Sequence, residues 1–352
     1  MSTYTGPVDA FQRPELAADY DFSSNKTTFP CHYVNIPTPR CATYNIRTFS
    51  GMPTDSDAKT RQSKLFSNLR VVMKNVDILL LQETKCPPDA VYATFENEWF
   101  AFRSPYVQDL GGVLTYPKRA GLAILVRKSF AHNFELKHEV VVAGHFHRIC
   151  LLPLESIDPT KPYFSSTFSV DNVYVPSSAD ADKIEVLSRF AESTTTCSFS
   201  FAGGDWNVRS TQNETTGEVS SRNLVKHINK CMTRRGLREI WHPAMTKISN
   251  HSPPQVSRLD KWYISHDEGS CKLVEPKVHI PNHPHEPGLD PRSPTDHFPV
   301  SLVFYPALSR RGRPSIPGWL ADRILLRLLL TSGTSGRVPE TPVTSCLSSI
   351  NC

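Results

Sequence analysis

The sequence predicts a layered α/β sandwich. Short apolar or β-branched runs recur from residue 41 to residue 304, and segments with apolar residues at three-to-four spacing lie between them. Strands interleaved with surface helices, without an internal repeat, fit stacked sheet and helix layers. A chain of 352 residues can bury one large core with irregular ends or two small ones, so these elements rather than composition carry the prediction.

In chain order, residues 1–39 are rich in Ser, Thr, Pro and Asp and read as a flexible N-terminal arm closed by Pro37 and Pro39. Strands are expected at 41–46, 76–81, 121–126, 147–152, 168–175, 197–202, 259–265 and 298–304. Helices are expected at 57–74, where Leu65, Leu69 and Val72 share a face, at 181–194, with Ile184, Leu187 and Phe190, and at 221–235. A Pro- and His-rich loop, 277–294, delivers the chain to Thr295-Asp296-His297, closing an α/β domain over 40–305. Residues 306–352 read as a basic linker, a short amphipathic segment and a low-complexity tail.

Composition removes some classes of function. Nine cysteines without a CxxC pair argue against a zinc knuckle and against a closed disulfide framework, and read as reduced thiols. The acidic N-terminal stretch has no apolar run, and 324–330, broken by Arg327, is far too short to span a bilayer, so an intracellular protein without a membrane partner is expected. A net charge of +5 suits a polyanionic partner, and simple solubility equally well.

Several strand ends are polar where their apolar interiors do not require it, the place where α/β sheets carry ligands. Glu83 follows the apolar run 76–81, where a carboxylate suits a hard cation, or caps a loop. Asn45 ends the first strand, offering an amide to a metal or a phosphate, or a turn. In Gly203-Gly204-Asp205-Trp206-Asn207 the glycine pair permits close backbone approach; alternation aims Asp205 and Asn207 one way and Trp206 into the core, while a turn capped by Asp is the alternative. Asp260 heads an aromatic strand, and His297 neighbours Asp296, a pairing that sets imidazole tautomer and basicity unless the histidine is simply a satisfied core residue. Tyr174 ends a strand, with core packing as the plainer reading.

Taken together, TYNIR, DILLLQETK, NVYVPSS, GGDWN, SRLDKWYIS and TDHFPV occur in one order across residues 41–305. In that order the chain resembles the endonuclease/exonuclease/phosphatase superfamily, and its wording is most similar to the endonuclease of non-LTR (LINE-type) retrotransposons. The resemblance implies a four-layer sandwich of DNase I type, with two packed mixed sheets flanked by helices. It implies a divalent-metal-dependent DNA endonuclease using Mg²⁺ or Mn²⁺, with Glu83 binding the metal and Asn45 and Asp296 nearby. Asp205 would position or deprotonate the attacking water, Asn207 and Tyr174 would hold the scissile phosphate, and His297, oriented by Asp260, would contact its non-bridging oxygen. Two positions depart from the pattern: Arg47 stands where abasic-site relatives often carry an acid, and Thr295 replaces the more usual Ser. A phosphatase acting on small phosphoesters or RNA, and an inactive remnant, are the alternatives.

Arg209, Arg222, Lys226, Lys230, Arg234, Arg235 and Arg238 form a basic excess on or around the helix 221–235, expected to touch DNA phosphates or to be a solvated face. The Arg-Gly-Arg-Pro core of 311–314 resembles a minor-groove AT-hook. No reverse transcriptase follows, which suggests a truncated copy; nuclear location is expected from the substrate, and no obligate protein partner is expected.

Overall fold

In the computed structural model the described residues are 39–47, 56–85, 92–105, 108–110, 113–115, 120–154, 167–197, 199–249, 252–265, 271–273, 277–279, 289 and 295–306. The arm before residue 39, most of the loop 277–294, the AT-hook-like stretch and the tail lie outside them.

The strands are β1 (Arg40–Asn45), β2 (Ile78–Gln82), β3 (Trp99–Ser104), β4 (Gln108–Leu110), β5 (Val113–Thr115), β6 (Leu122–Arg127), β7 (Phe134–Val142), β8 (Phe146–Pro153) and β9 (Phe168–Tyr174). They continue with β10 (Phe199–Asp205), β11 (Leu237–Ile240), β12 (Lys247–Ile248), β13 (Val256–Ser257), β14 (Asp260–Ser265), β15 (Cys271–Leu273), β16 (Lys277–Val278) and β17 (Val300–Pro306). The helices are α1 (Ser56–Lys74), α2 (Lys128–Ala131), α3 (Asp180–Glu192) and α4 (Arg222–Arg234). Ser221, just before α4, accepts the Leu224 N–H at 3.2 Å, so the hydroxyl that opens the helical pattern also caps it.

One sheet of seven strands runs β15-β17-β1-β2-β6-β3 with β16 beside β17; the other, of six, runs β11-β14-β10-β9-β8-β7. Each is mixed, with a single parallel pair, β1 with β2 and β9 with β10. Those pairs are joined by α1 and α3, as a parallel crossover requires. Ile78, Leu80, Ile124 and Val126 from one sheet meet Ile149, Val170, Phe201 and Trp262 from the other in a central core. The outer face of the first sheet packs Leu79, Leu81 and Leu125 on Leu65, Leu69 and Val72 of α1. The outer face of the second packs Ala202 and Val173 on Leu187 and Phe190 of α3 and Leu224 and Ile228 of α4. Helix, sheet, sheet and helix make the expected four layers.

The sequence misses the strands at the rims. β3, β7 and β11 are terminal in their sheets, and along β7 only Phe134 is buried while the rest are half-buried or exposed, so these strands lack the full burial of a central strand.

β10 extends through the glycine pair to Asp205, and two close approaches explain the glycines. A Cβ at Gly203 would lie 2.6 Å from the Trp262 ring, and one at Gly204 1.8 Å from the Val173 carbonyl oxygen on the neighbouring strand. Gly204→Ala is expected to cost more than about 4 kcal/mol, because the obstacle is backbone that no rotamer change can move. Denaturant unfolding of the soluble fraction checks this; a loss under about 1 kcal/mol would mean that β9 and β10 are not so closely paired.

Candidate active site

Each parallel pair delivers its carboxyl end to the same place. Register sets Asn45 opposite Gln82, one residue before Glu83, and Asp205 opposite both Tyr174 and Asp260. The sheets are tied together beneath this point: Gln82 Nε2 donates to Asn172 Oδ1 at 2.7 Å, and Asn172 Nδ2 donates to the carbonyls of Leu81 and Ala123 at 3.0 and 2.9 Å. This buried link fixes one sheet's polar end over the other's.

Asn45, buried, bridges the two sheets' carboxylates: its Nδ2 donates to Glu83 Oε1 at 2.9 Å and to Asp205 Oδ2 at 2.8 Å. Its Oδ1 accepts the Arg47 N–H at 3.0 Å. That geometry turns its NH₂ toward the anions and leaves its oxygen one lone pair beyond the Arg47 N–H. Asn45 steadies the carboxylates.

His297 is fully buried, its Nδ1 2.9 Å from Asp260 Oδ2 and its Nε2 3.8 Å from both Asp205 Oδ2 and Asp296 Oδ1. Thr295 Oγ1 donates to the Asn45 carbonyl at 2.6 Å and accepts the His297 N–H at 3.1 Å, so threonine supplies the hydroxyl that positions the histidine. Burial pulls the imidazole's pKa down, but the charges of Asp260 and Asp205 outweigh it and raise the group to about 9. Burial drives Asp205 up to about 6 against the pull of His297. At neutral pH the pair is therefore a carboxylate beside an imidazolium.

Asp205 and Asn207 both face the site, though not by strand alternation: Asn207 has φ 44°, a left-handed turn, with its N–H on Asp205 Oδ1 at 3.0 Å and its Nδ2 on the Val175 carbonyl at 2.8 Å. Trp206 is buried between Phe190 and Tyr263, as alternation implies, and donates to the Lys261 carbonyl. Burial, then the charges of Glu83 and Asp205, push the Tyr174 hydroxyl far above its ordinary range, keeping it a donor. Among the described residues, the non-glycine residues with positive φ are Arg47, Glu83, Lys85 and Asn207, and all line one cleft. Such backbone costs on the order of 1–3 kcal/mol each and clusters where a site needs it.

The cleft, of about 380 Å³, is lined by Arg47, Glu83, Lys85, Tyr174, Ser177, Asn207 and Lys247. Arg47, Lys85, Ser177 and Lys247 were not expected as site residues. Lys85 and Ser177 stand inside motifs that mark the site and could have been found there; Lys247 comes from β12, a two-residue strand without a sequence signal.

Glu83 and Asp296 suit a hard divalent cation. Both are oxygen donors, and Asp296 Oδ1 is buried with no hydrogen-bond partner. Asp205, Asp260 and His297 also offer ligand atoms within 4.8 Å of one another, with His297 Nδ1 engaged by Asp260.

The basic helix divides. Its N-terminal end is joined to the site side of the fold, through Ser221 Oγ to Asp180 and the Ser220 N–H to the Arg209 carbonyl, and Arg222 and Lys226 are exposed there. Arg234 lies at the other end of this 13-residue helix, about 18 Å along the axis. Arg235 corrects the sequence expectation: its guanidinium donates to Asp171 Oδ2 at 2.8 Å and to the Phe190 carbonyl and Ser193 Oγ, and only 6% of the side chain is exposed. It holds α3 to the sheet and does not face a ligand.

A family model described as Endonuclease/Exonuclease/phosphatase family matches residues 42–345. No curated protein matches the sequence. Among solved structures, the AP endonuclease LMAP of Leishmania major is similar at 16% identity and TM-score 0.53, over 76% of this chain and 88% of that one. An AP endonuclease from Archaeoglobus fulgidus gives 16% identity and TM-score 0.52 over 76% and 99%. The Xenopus laevis APE2 catalytic domain gives 13% and 0.50 over 77% and 94%. These likenesses are of fold.

Proposed function

Because the chain belongs to the endonuclease/exonuclease/phosphatase family, we propose that this phosphoester hydrolase is a Mg²⁺- or Mn²⁺-dependent DNA endonuclease of the retrotransposon type that its motifs resemble. The observation that carries the reading is the Asp205–His297–Asp260 set facing Glu83 across the Asn45 bridge.

In this reading Asp205 takes the proton of the attacking water. Its two oxygens are aimed by Asn45 Nδ2 and the Asn207 N–H, and its raised pKa suits a base working near neutrality. His297, held positive by Asp260, donates from Nε2 to a non-bridging phosphate oxygen as charge develops there. Asn207 and Tyr174 orient the phosphate from the cleft wall. A divalent cation held by Glu83 and Asp296 would supply stabilisation of the leaving oxygen and of charge on the phosphoryl group. The exposed Arg222 and Lys226, on the site side, favour a polymeric polyanion over a small phosphoester.

The test is nicking of supercoiled plasmid with Mg²⁺, beside turnover of a small phosphomonoester. Nicking lost on chelation and restored by Mg²⁺ or Mn²⁺ is expected. Monoester turnover without nicking in either metal would instead assign the chain to the small-phosphoester branch of the same fold.

A further inference from the structure

We propose that His145 is a positioning residue for the reaction, holding the Tyr174 hydroxyl beside Glu83 and toward the scissile phosphate. This deepens the reading above, in which Tyr174 orients the phosphate, and rests on it.

His145 lies in the turn between β7 and β8 and stands outside the six motifs that mark the site. Three contacts tie it to Tyr174, the last residue of β9. Its carbonyl accepts the Tyr174 N–H at 2.8 Å, and its ring Nδ1 lies 3.0 Å from the Tyr174 carbonyl, so one residue brackets the tyrosine backbone on both sides. A carbonyl only accepts, so Nδ1 carries the proton. The imidazole and phenol rings are nearly parallel, 9° between planes with centroids 5.6 Å apart, which is an offset stack. Histidine supplies the flat ring and the donor together; an aliphatic side chain supplies neither.

Tyr174 is only 1% exposed, and its hydroxyl is hydrogen-bonded to Glu83 and Ser177. A hydroxyl at the far end of a ring is displaced by any tilt of that ring, and the stack blocks a tilt toward His145. The turn is itself anchored to the other sheet. The Gly144 N–H donates to Ser104 Oγ at 3.0 Å, the Gly144 carbonyl accepts the Gly121 N–H at 3.2 Å, and the Gly121 carbonyl accepts the N–H of Thr84 at 3.0 Å. Gly144 has φ 70°, a conformation that favours glycine. This path runs from the residue after Glu83 through Gly121, Gly144 and His145 to Tyr174. It is separate from the Gln82–Asn172 link, and it ends on the phenol itself.

The test is a double-mutant cycle in the full chain: wild type, His145→Leu, Tyr174→Phe and the double variant. Values of kcat and KM are measured with Mg²⁺ on supercoiled plasmid or on a small phosphomonoester, whichever the wild type turns over. His145→Leu is expected to lower kcat by roughly ten- to a hundredfold with far less change in KM. Tyr174→Phe lowers kcat by itself, and adding His145→Leu to it should lower kcat no further, since no hydroxyl is left to aim. A residue that served only the fold would lower Tm without this dependence on the hydroxyl. His145→Asn, whose Nδ2 can take the place of Nδ1 at the Tyr174 carbonyl, should recover part of the loss, and it replaces His145→Leu in the cycle if thermal unfolding shows that the leucine variant does not fold. Equal losses of kcat in both backgrounds, or none in either, overturn the positioning role and leave the hydrolase reading intact. Turnover of the monoester alone removes the endonuclease reading while the cycle still decides His145, and a wild type that turns over neither substrate overturns both.

Discussion

Asp205→Asn is expected to lower the rate of metal-dependent nicking by roughly a thousandfold or more, the scale of losing a positioned general base together with its charge. His297→Ala should do comparably. The loss should appear in kcat more than in KM, since Asn keeps the shape of the side chain and one of the two hydrogen bonds from Asn45 and Asn207, its Nδ2 being unable to accept the other. Stability should respond to pH. A folded-state pKa raised to about 6 means that the native protein favours the protonated carboxyl. The stability this provides is complete below the unfolded value near 3.8 and lost as pH rises through 6, so near pH 8 the ionised Asp205 is a burden that Asn relieves. Thermal unfolding should therefore show the variant's Tm, relative to wild type, higher at pH 8 than at pH 5. The pH profile of kcat/KM in the wild type should rise through about 6 and fall through about 9, apparent values that belong to the Asp205–His297–Asp260 set together. Full nicking by Asp205→Asn would remove the base assignment.

Glu214→Ala should produce a loss of stability of the same order as Gly204→Ala, and for an electrostatic reason. Glu214 is buried and meets two buried cations, accepting from Lys261 Nζ at 2.9 and 3.0 Å and pairing with Arg258. Arg258 in turn pairs with Glu239 and lies 3.8 Å over the Trp241 ring. Removing the carboxylate strands charge in a low-dielectric interior, which costs about 3–5 kcal/mol. The Tm should fall by roughly 10 °C. Lys261→Met added to Glu214→Ala should recover part of the loss, because the stranded charge leaves with it, whereas a single variant within 1 kcal/mol of wild type would contradict the network. Activity should fall as well: the Glu214 carbonyl accepts the Arg258 N–H at 2.8 Å, two residues before Asp260, which sets His297.

Legibility differed by region. Central strands are buried almost throughout because both their faces are covered, and β2 and β6 were readable as unbroken apolar runs. The helices α1, α3 and α4 were readable because each buries one stripe. β3, β7 and β11 were not, since an edge strand needs only part of its surface covered. Among the site residues, those on strand ends stood out as polar interruptions of apolar runs. Lys247 did not, since a lysine on a two-residue strand looks like any surface lysine.

The sequence alone determined the layer architecture, the family and the ordered set of polar strand ends, because apolar periodicity and motif order are local properties of the chain. Only the tertiary structure decided how those ends combine. Asn45 became a bridge between carboxylates because the Gln82–Asn172 link sets one sheet over the other across positions 90 residues apart. Arg235 left the candidate DNA surface because Asp171, 64 residues away, captures it. Arg47, Lys85 and Lys247 came to share a cleft through pairings between distant strands. Burial, partner and electrostatic field are set by such contacts, and no window of sequence contains them.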